Sequence, residues 1–193
     1  MKASVSEFER LISNLPIGIQ IDLKSYVKEN SINDSDSLIY KLYKDKNNEP
    51  MLLFCNLRNS QLETLKDIMI YGIFGEYSLK YPMKNFLFME CSVRFHSRGI
   101  PVEILRIHAG KEKRTGKGSL AINFLETELI PEINNILMKH KCNSQVTYIY
   151  GISSDLSEDT SKIERARFYC TNGFTMSYSH FYKQLKNDAL KQA

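Results

Sequence analysis

The residues best suited to chemistry lie in AGKEKRTGKGS, the segment 109–119. Residues 111–117 supply four cations and one anion, and the segment contains three glycines: Gly110, Gly116 and Gly118. A helix is predicted to begin here, and a helix start presents unpaired N–H groups and the positive end of the helix dipole. Glycines let an anion approach those donors closely. The segment therefore predicts a site for a phosphate or pyrophosphate.

Spacing argues against a nucleoside-triphosphatase loop, whose pattern is G-x-x-x-x-G-K-S/T. Five residues separate Gly110 from Gly116, and Lys117 is followed by Gly118, with Ser119 one place too late. The magnesium-binding hydroxyl would therefore lie about 100° away around the helix. No convincing acidic strand end follows to hold the metal.

Two motifs in this order resemble the GNAT acyl-CoA N-acyltransferase superfamily. KRTGKG at residues 113–118 is similar to that family's pyrophosphate loop, Q/R-x-x-G-x-G/A, with Lys113 at the Gln or Arg position. FYCTNGF at residues 168–174 resembles its F-Y-x-x-x-G-F segment. The resemblance covers about residues 85–185. It implies direct transfer of an acetyl group from acetyl-CoA to an amine acceptor.

The resemblance also implies roles for individual residues. Tyr169 would donate to the departing thiolate, and backbone N–H groups near residues 107–110 would polarise the thioester carbonyl. Glu103 is the first candidate for the base that deprotonates the amine, with Glu90 and His108 as rivals. The residues expected to bind acetyl-CoA are Ile107, His108, Lys113, Arg114, Thr115, Gly116, Lys117, Gly118, Ser119 and Tyr169.

A second function stays open beside the enzyme. Lys162 and Arg165 stand where the family often has Asn and Ala, and the first eighty residues do not follow its usual order of elements. These departures are compatible with a catalytically silent GNAT-like module that binds CoA or a partner protein. The acceptor is also open among a small amine, a peptide N-terminus and a protein lysine.

In the second half of the chain, the spacing of hydrophobic residues predicts the strands and helices that must position these residues. Two strands are predicted at 85–94 and 102–108, followed by a long helix at 119–140 in which Pro131 should cause a kink or a break. A buried strand is predicted at 146–152, a helix near 161–171, and a final strand from Phe174 onwards.

The first half is less regular. The sequence predicts a short amphipathic helix at 5–14, a polar linker at 29–37, a hairpin of strands starting at Ser37 and Met51, and a helix at 61–70. We expect a single domain over residues 1–193. Residues 1–80 form its divergent part and residues 85–185 its acyl-CoA-binding core. The fold class expected is α/β (α+β), with a mixed, mostly antiparallel twisted sheet flanked by helices.

The composition argues against a membrane-spanning or a secreted protein. The chain has 193 residues, 42% of them hydrophobic, and a formal net charge of +4. No apolar run approaches the roughly 18 residues of a membrane span. The four cysteines are widely spaced and the N-terminus resembles no signal peptide, so we expect a cytoplasmic protein. We expect no metal, nucleic acid or membrane partner. A homodimer stays open, because dimers are common in families of this kind.

Overall fold

The computed structural model describes residues 2–3, 10, 13, 37–57, 62–74, 86–96, 99–108, 115–152, 159–178 and 180–185. These residues form one sheet in the strand order β1-β2-β3-β4-β5-β6-β7-β9-β8. The strands are β1 (Lys2–Ala3), β2 (Ser37–Lys44), β3 (Pro50–Leu57), β4 (Ile68–Phe74), β5 (Phe86–Val93), β6 (Ile100–His108), β7 (Val146–Ile152), β8 (Thr175–Ser177) and β9 (His180–Gln184). The division into 1–80 and 85–185 stays a prediction.

Only one pair of neighbouring strands in this sheet is parallel. β6 and β7 run in the same direction, and the other described neighbours are antiparallel. A parallel pair needs a crossover, and the helical segment between these two strands supplies it. The predicted fold class, a mixed and mostly antiparallel sheet with helices, is therefore confirmed at this level.

One long helical segment crosses from β6 to β7. It consists of α1 (Lys117–Phe124), a π-helical turn (Leu125–Leu129) and α2 (Ile130–Lys139). The π turn ends two residues before Pro131, which has no N–H to donate to the preceding turn. The predicted interruption is thus a change of helical pitch within a continuous helical segment. A further helix, α3 (Asp159–Thr171), follows β7 as predicted.

Two predicted elements are wrong. The stretch 61–70 is not a helix: it holds a 3₁₀ turn (Leu62–Lys66) followed by the start of β4. Ile68 and Ile70 are both buried while Met69 between them is only partly so, and this period of two is that of a strand. The single final strand is instead the hairpin β8–β9, which turns at Tyr178 with φ 53°. The predicted helix at 5–14 and the linker at 29–37 lie almost wholly outside the described residues.

The sheet has two unlike faces. The helix face packs against the helical segment and carries alternate residues such as Ile39, Leu53, Ile70, Met89, Ile104 and Ile149. The second face carries the residues between them, such as Tyr40, Phe54, Tyr71, Phe88, Glu103 and Tyr150.

Among the described residues, every helix is too short or too polar to span a membrane.

Two ion pairs fix the π turn to the helix face of the sheet. Lys41 on β2 contacts Glu128, and Lys183 on β9 contacts Glu126, both with Nζ–Oε1 distances of 2.6 Å. Lys183 Nζ also donates to the backbone oxygen of Asn172 at 2.9 Å. The π turn is therefore held by strands toward opposite edges of the sheet, and this fixes the position of the helical segment on the helix face.

Two buried thiols predict a loss of stability at alkaline pH. Burial raises the pKa of Cys55 and of Cys91 above the ordinary value of 9.0. As pH rises from 8 to 10, the unfolded chain releases these protons and the folded chain keeps them. Stability should therefore fall by about 1.4 kcal/mol per thiol.

Urea unfolding at pH 8, 9 and 10 measures this loss. The Cys55→Ala/Cys91→Ala variant should lose nearly 3 kcal/mol less between pH 8 and pH 10 than the wild type. An unchanged pH dependence in the double variant would assign the loss to other groups.

Candidate functional site

The described pairing of β6 with β7 stops near the middle of β6. Their pairing runs from Ile100 opposite Val146 to Ile104 opposite Gly151, and no described residue of β7 pairs with 105–108. The register of β5 with β6 also shifts here, so that Leu105 is an extra, unopposed residue. One backbone edge of 105–108 is therefore without a strand partner in the described part of the chain. Ile107 and His108, two predicted acetyl-CoA contacts, lie on it.

The helix that follows begins at the predicted glycine. Gly116 adopts φ 82° and is the N-cap of α1, and its carbonyl accepts from the Leu120 N–H at 3.1 Å. The left-handed conformation is the one that favours glycine. Thr115, Gly116 and Ser119 are partly buried at this helix start. Lys113 and Arg114 lie outside the described residues.

Lys117 does not extend into solvent as a phosphate-binding lysine would. Its side chain is 1% exposed, and its Nζ lies 3.7 Å from Oδ2 of Asp45 in the β2–β3 turn. Oδ1 of the same carboxylate accepts from the backbone N–H groups of Asn47 and Glu49. Lys117 therefore ties the helix start to the hairpin turn, and only its backbone N–H is a candidate for ligand binding.

The β2–β3 turn closes one side of the helix start. The Lys46 N–H donates to the carbonyl of Thr115 at 3.3 Å, and the Lys46 side chain lies beside Gly116, 3.2 Å from where a Cβ would stand. Lys46 is itself exposed. Its ammonium is therefore a further cation near the helix N-terminus. The sequence could not indicate this contact, because Lys46 and Gly116 are 70 positions apart.

Tyr169 lies at the C-terminal end of α3. The Phe174 N–H donates to the Tyr169 carbonyl and the Gly173 N–H to the Cys170 carbonyl, both at 3.0 Å, and Gly173 has φ 79°. This is a Schellman motif, and the Tyr169 and Phe174 rings make its usual apolar contact. The Y-x-x-x-G-F spacing therefore has a structural cause of its own, which is to end the helix.

The Tyr169 ring is fixed by aromatic neighbours. It stacks on Phe181 of β9 with ring centroids 3.7 Å apart and makes edge contacts with Phe168 and Phe174. Burial raises the pKa of Tyr169 to about 12, and the nearby Arg165 charge only partly opposes this. The hydroxyl is therefore protonated throughout the neutral range and can act as a hydrogen-bond donor.

Two contacts connect Tyr169 with the other predicted parts of the site, which are the β6–β7 pair and the start of α1. The Phe181 ring stacks on Tyr169 and also packs against Gly151, which forms the last described pair between β6 and β7. Asn172, one turn beyond Tyr169, donates from Nδ2 to Oγ of Ser119 at 3.1 Å. The last described β6–β7 pair, the helix start and the tyrosine therefore adjoin one another. Asn172 and Phe181 are the linking residues that the sequence did not reveal.

The three candidate bases lie on the second face of the sheet. Glu103 is bound by Arg94, with Oε2–Nε at 2.6 Å, and Glu90 by Arg106, with Oε2–Nη2 at 2.7 Å. His108, exposed at the end of β6, stacks on Phe88. Of the three, Glu103 is nearest along β6 to the last β6–β7 pair at Ile104. Burial, and then the Glu103 charge, raise the pKa of Tyr150 opposite it.

No protein-family model matches this chain, and no curated protein matches it either.

Proposed function

We propose that this chain is an acetyl-CoA-dependent N-acetyltransferase with a GNAT-like arrangement of strands and helices. The observation that carries the proposal is that three features lie together: a β6 edge without a strand partner among the described residues, the helix start capped by Gly116, and the helix end at Tyr169. The Asn172–Ser119 hydrogen bond and the stacking of Tyr169 on Phe181 join them. Acetyl-CoA has a diphosphate and an extended thioester arm that suit the first two features.

The diphosphate would bind at the start of α1. Backbone N–H groups of residues 117–119 and the positive helix end attract an anion there. Lys46 adds a cation from the hairpin turn, and Lys113 and Arg114 add two from the preceding segment. The pantetheine arm would then extend along residues 105–108 of β6, hydrogen-bonding to the backbone edge that β7 leaves unpaired.

Acyl transfer then needs three events at the end of that arm. The amine nitrogen attacks the thioester carbonyl carbon, the C–S bond breaks, and the nitrogen loses a proton to Glu103 or to water bound beside it. Backbone N–H groups at the β6 bulge would stabilise the oxyanion. A lysine-like amine is only about one part in 10³ neutral at pH 7, so removal of its proton matters.

Tyr169 would stabilise the leaving thiolate by a hydrogen bond without transferring its proton. A typical thiol has a pKa near 8.5, and that of Tyr169 is about 12. Complete proton transfer would therefore be uphill by about 5 kcal/mol. A neutral phenol held against the sulfur lowers the energy of the charge that develops there.

The silent CoA-binding module is the second candidate, and one observation favours it. The carboxylate of Glu103 is already engaged by Arg94, so it has a partner other than an amine. Thiol release from acetyl-CoA in the presence of a mixture of primary amines distinguishes the two. Release that depends on the amine supports the enzyme. Binding of acetyl-CoA without amine-dependent release supports the silent module.

Ser119→Asp tests the diphosphate site separately from folding. An acidic residue in the first turn of a helix stabilises the helix, whereas the same charge repels a diphosphate bound there. We expect acetyl-CoA affinity to fall roughly tenfold with no loss of melting temperature. Asn123→Asp, one turn further along α1 and exposed, is the matched control. Equal affinity in the two variants would contradict a diphosphate at the helix start.

A further inference from the structure

Two glutamates and two arginines form a paired cluster on the second face of β5 and β6. This cluster, the charge-paired face, consists of Glu90, Arg94, Glu103 and Arg106. Glu103 and Glu90 are 15% and 21% exposed, whereas Arg94 and Arg106 are 46% and 64% exposed. The carboxylates therefore lie close to the sheet, and the guanidinium groups extend outward from it.

Both guanidinium groups keep hydrogen-bonding capacity. The bond from Arg94 to Glu103 uses Nε alone, and Arg106 uses Nε and Nη2 on a single oxygen of Glu90. A guanidinium has five N–H donors in a planar fork, so each has donors left for a second carboxylate. The outer layer of this face therefore suits an anionic group.

A buried hydroxyl lies within the same cluster. Ser92 is 1% exposed, is opposite Glu103 in the β5–β6 pairing, and its Oγ has no hydrogen-bond partner in the described part of the chain. A buried polar atom without a partner is unfavourable, so such an atom points to a ligand that completes it. Glu103 is also next to Ile104, which forms the last described pair with β7.

We propose that the charge-paired face binds the acetyl acceptor, and that this acceptor is an amine carrying a carboxylate a few bonds from its nitrogen. The amine would lie at Ser92 and Glu103, and the carboxylate would bind the outward guanidinium of Arg94 or Arg106. This proposal rests on the proposed acetyltransferase function and adds the class of its second substrate.

Electrostatics favours this acceptor over a polycation. The two carboxylates are each matched by an arginine, so the cluster has no net negative charge. Residues 81–193 carry sixteen basic and eleven acidic side chains, a net charge of +5. A spermidine-like or polylysine acceptor would meet a field of its own sign, whereas an amino acid presents one group to each part of the cluster.

Matched pairs of acceptors test the proposal. Alanine and alaninamide, and phenylalanine and phenylalaninamide, differ only in the carboxylate, and spermidine represents polycations. We expect kcat/KM for the acids to exceed that for their amides at least tenfold, and spermidine to be the poorest acceptor. The amides have the less basic amine, so ionisation alone would favour them. Equal or better use of amides or spermidine would overturn the proposal.

Arginine variants locate the carboxylate. Arg106→Gln and Arg94→Gln, singly and together, should raise KM for the acids about tenfold relative to KM for the amides. Arg94→Lys controls for the charge beside Glu103, and Arg167→Gln on α3 is an exposed arginine outside the cluster. Acid preference that survives in the folded double variant would refute the assignment.

A binding measurement separates this inference from the proposed function. Calorimetry with N-acetylalanine and N-acetylalaninamide, in the absence of CoA, measures carboxylate binding, and the double arginine variant shows how much of it belongs to the charge-paired face. Binding of the acid that is lost in the double variant supports the inference even if acetyl-CoA fails to bind. An absence of N-acetylalanine binding overturns the inference even if acetyl-CoA binds and amines are acetylated.

Discussion

Gly151→Ala is expected to lower the free energy of unfolding by about 3 kcal/mol and to reduce acetyl transfer at least a hundredfold. A Cβ at this position would overlap the Phe181 ring and lie 2.7 Å from the carbonyl oxygen of Ile104. The ring can move, but the backbone oxygen can move only if β6 and β7 shift apart. Because Tyr169 stacks on Phe181, the disturbance reaches the proposed leaving-group donor.

Urea unfolding and acetyl transfer measure the two effects together. Ile152→Ala is the control, since it removes an exposed side chain from the next position of β7. It should leave both quantities nearly unchanged. A Gly151→Ala protein with wild-type stability would show that the close approach of Phe181 to β7 is not maintained. Wild-type transfer despite lost stability would show that the Phe181 support is unimportant for catalysis.

Tyr169→Phe is expected to lower kcat about a hundredfold and to change acetyl-CoA affinity by less than about twofold. The substitution keeps the ring that stacks on Phe181 and removes the hydroxyl that would stabilise the thiolate. The loss should therefore appear in the chemical step, because the diphosphate contacts at the helix start are untouched. Tyr178→Phe is the matched control, since Tyr178 is fully exposed.

The pH dependence of transfer gives a second readout of Tyr169. Because its pKa is raised to about 12, the phenol keeps its proton as pH rises through 10, and no activity should be lost there through its ionisation. A fall in kcat with an apparent pKa near 10, present in the wild type and absent in Tyr169→Phe, would contradict a buried donor. Equal kcat in wild type and Tyr169→Phe would remove the tyrosine from the mechanism.

Strand and helix positions were predictable where one periodicity dominated. The hairpin of β2 and β3, the β5–β6 pair, the strand β7 and the helix α3 follow from such patterns. The stretch 61–70 misled because Leu62, Leu65 and Met69 have helical spacing, while Ile68 and Ile70 need the sheet to be buried. Only the neighbouring strands decide between these patterns, and they are distant in sequence.

The candidate site was predictable as a set of residues but not as an arrangement. The helix start at Gly116 follows from glycine spacing and the preceding strand. The burial of Lys117 against Asp45 does not, because it joins a helix to a turn 72 positions earlier. The pairing of Glu103 with Arg94 likewise depends on the β5–β6 register, which a bulge shifts. Such contacts are set by tertiary packing, which sequence spacing does not encode.

Calorimetric titration with acetyl-CoA, run in parallel with ATP–magnesium, tests most directly whether the α1 start binds a diphosphate with its thioester arm along β6. We expect one acetyl-CoA per chain, displaced by CoA and weakened by Ser119→Asp, and no heat from ATP–magnesium. Heat from ATP–magnesium with none from acetyl-CoA, or acetyl-CoA binding that Ser119→Asp leaves unchanged, would contradict the assignment of this site.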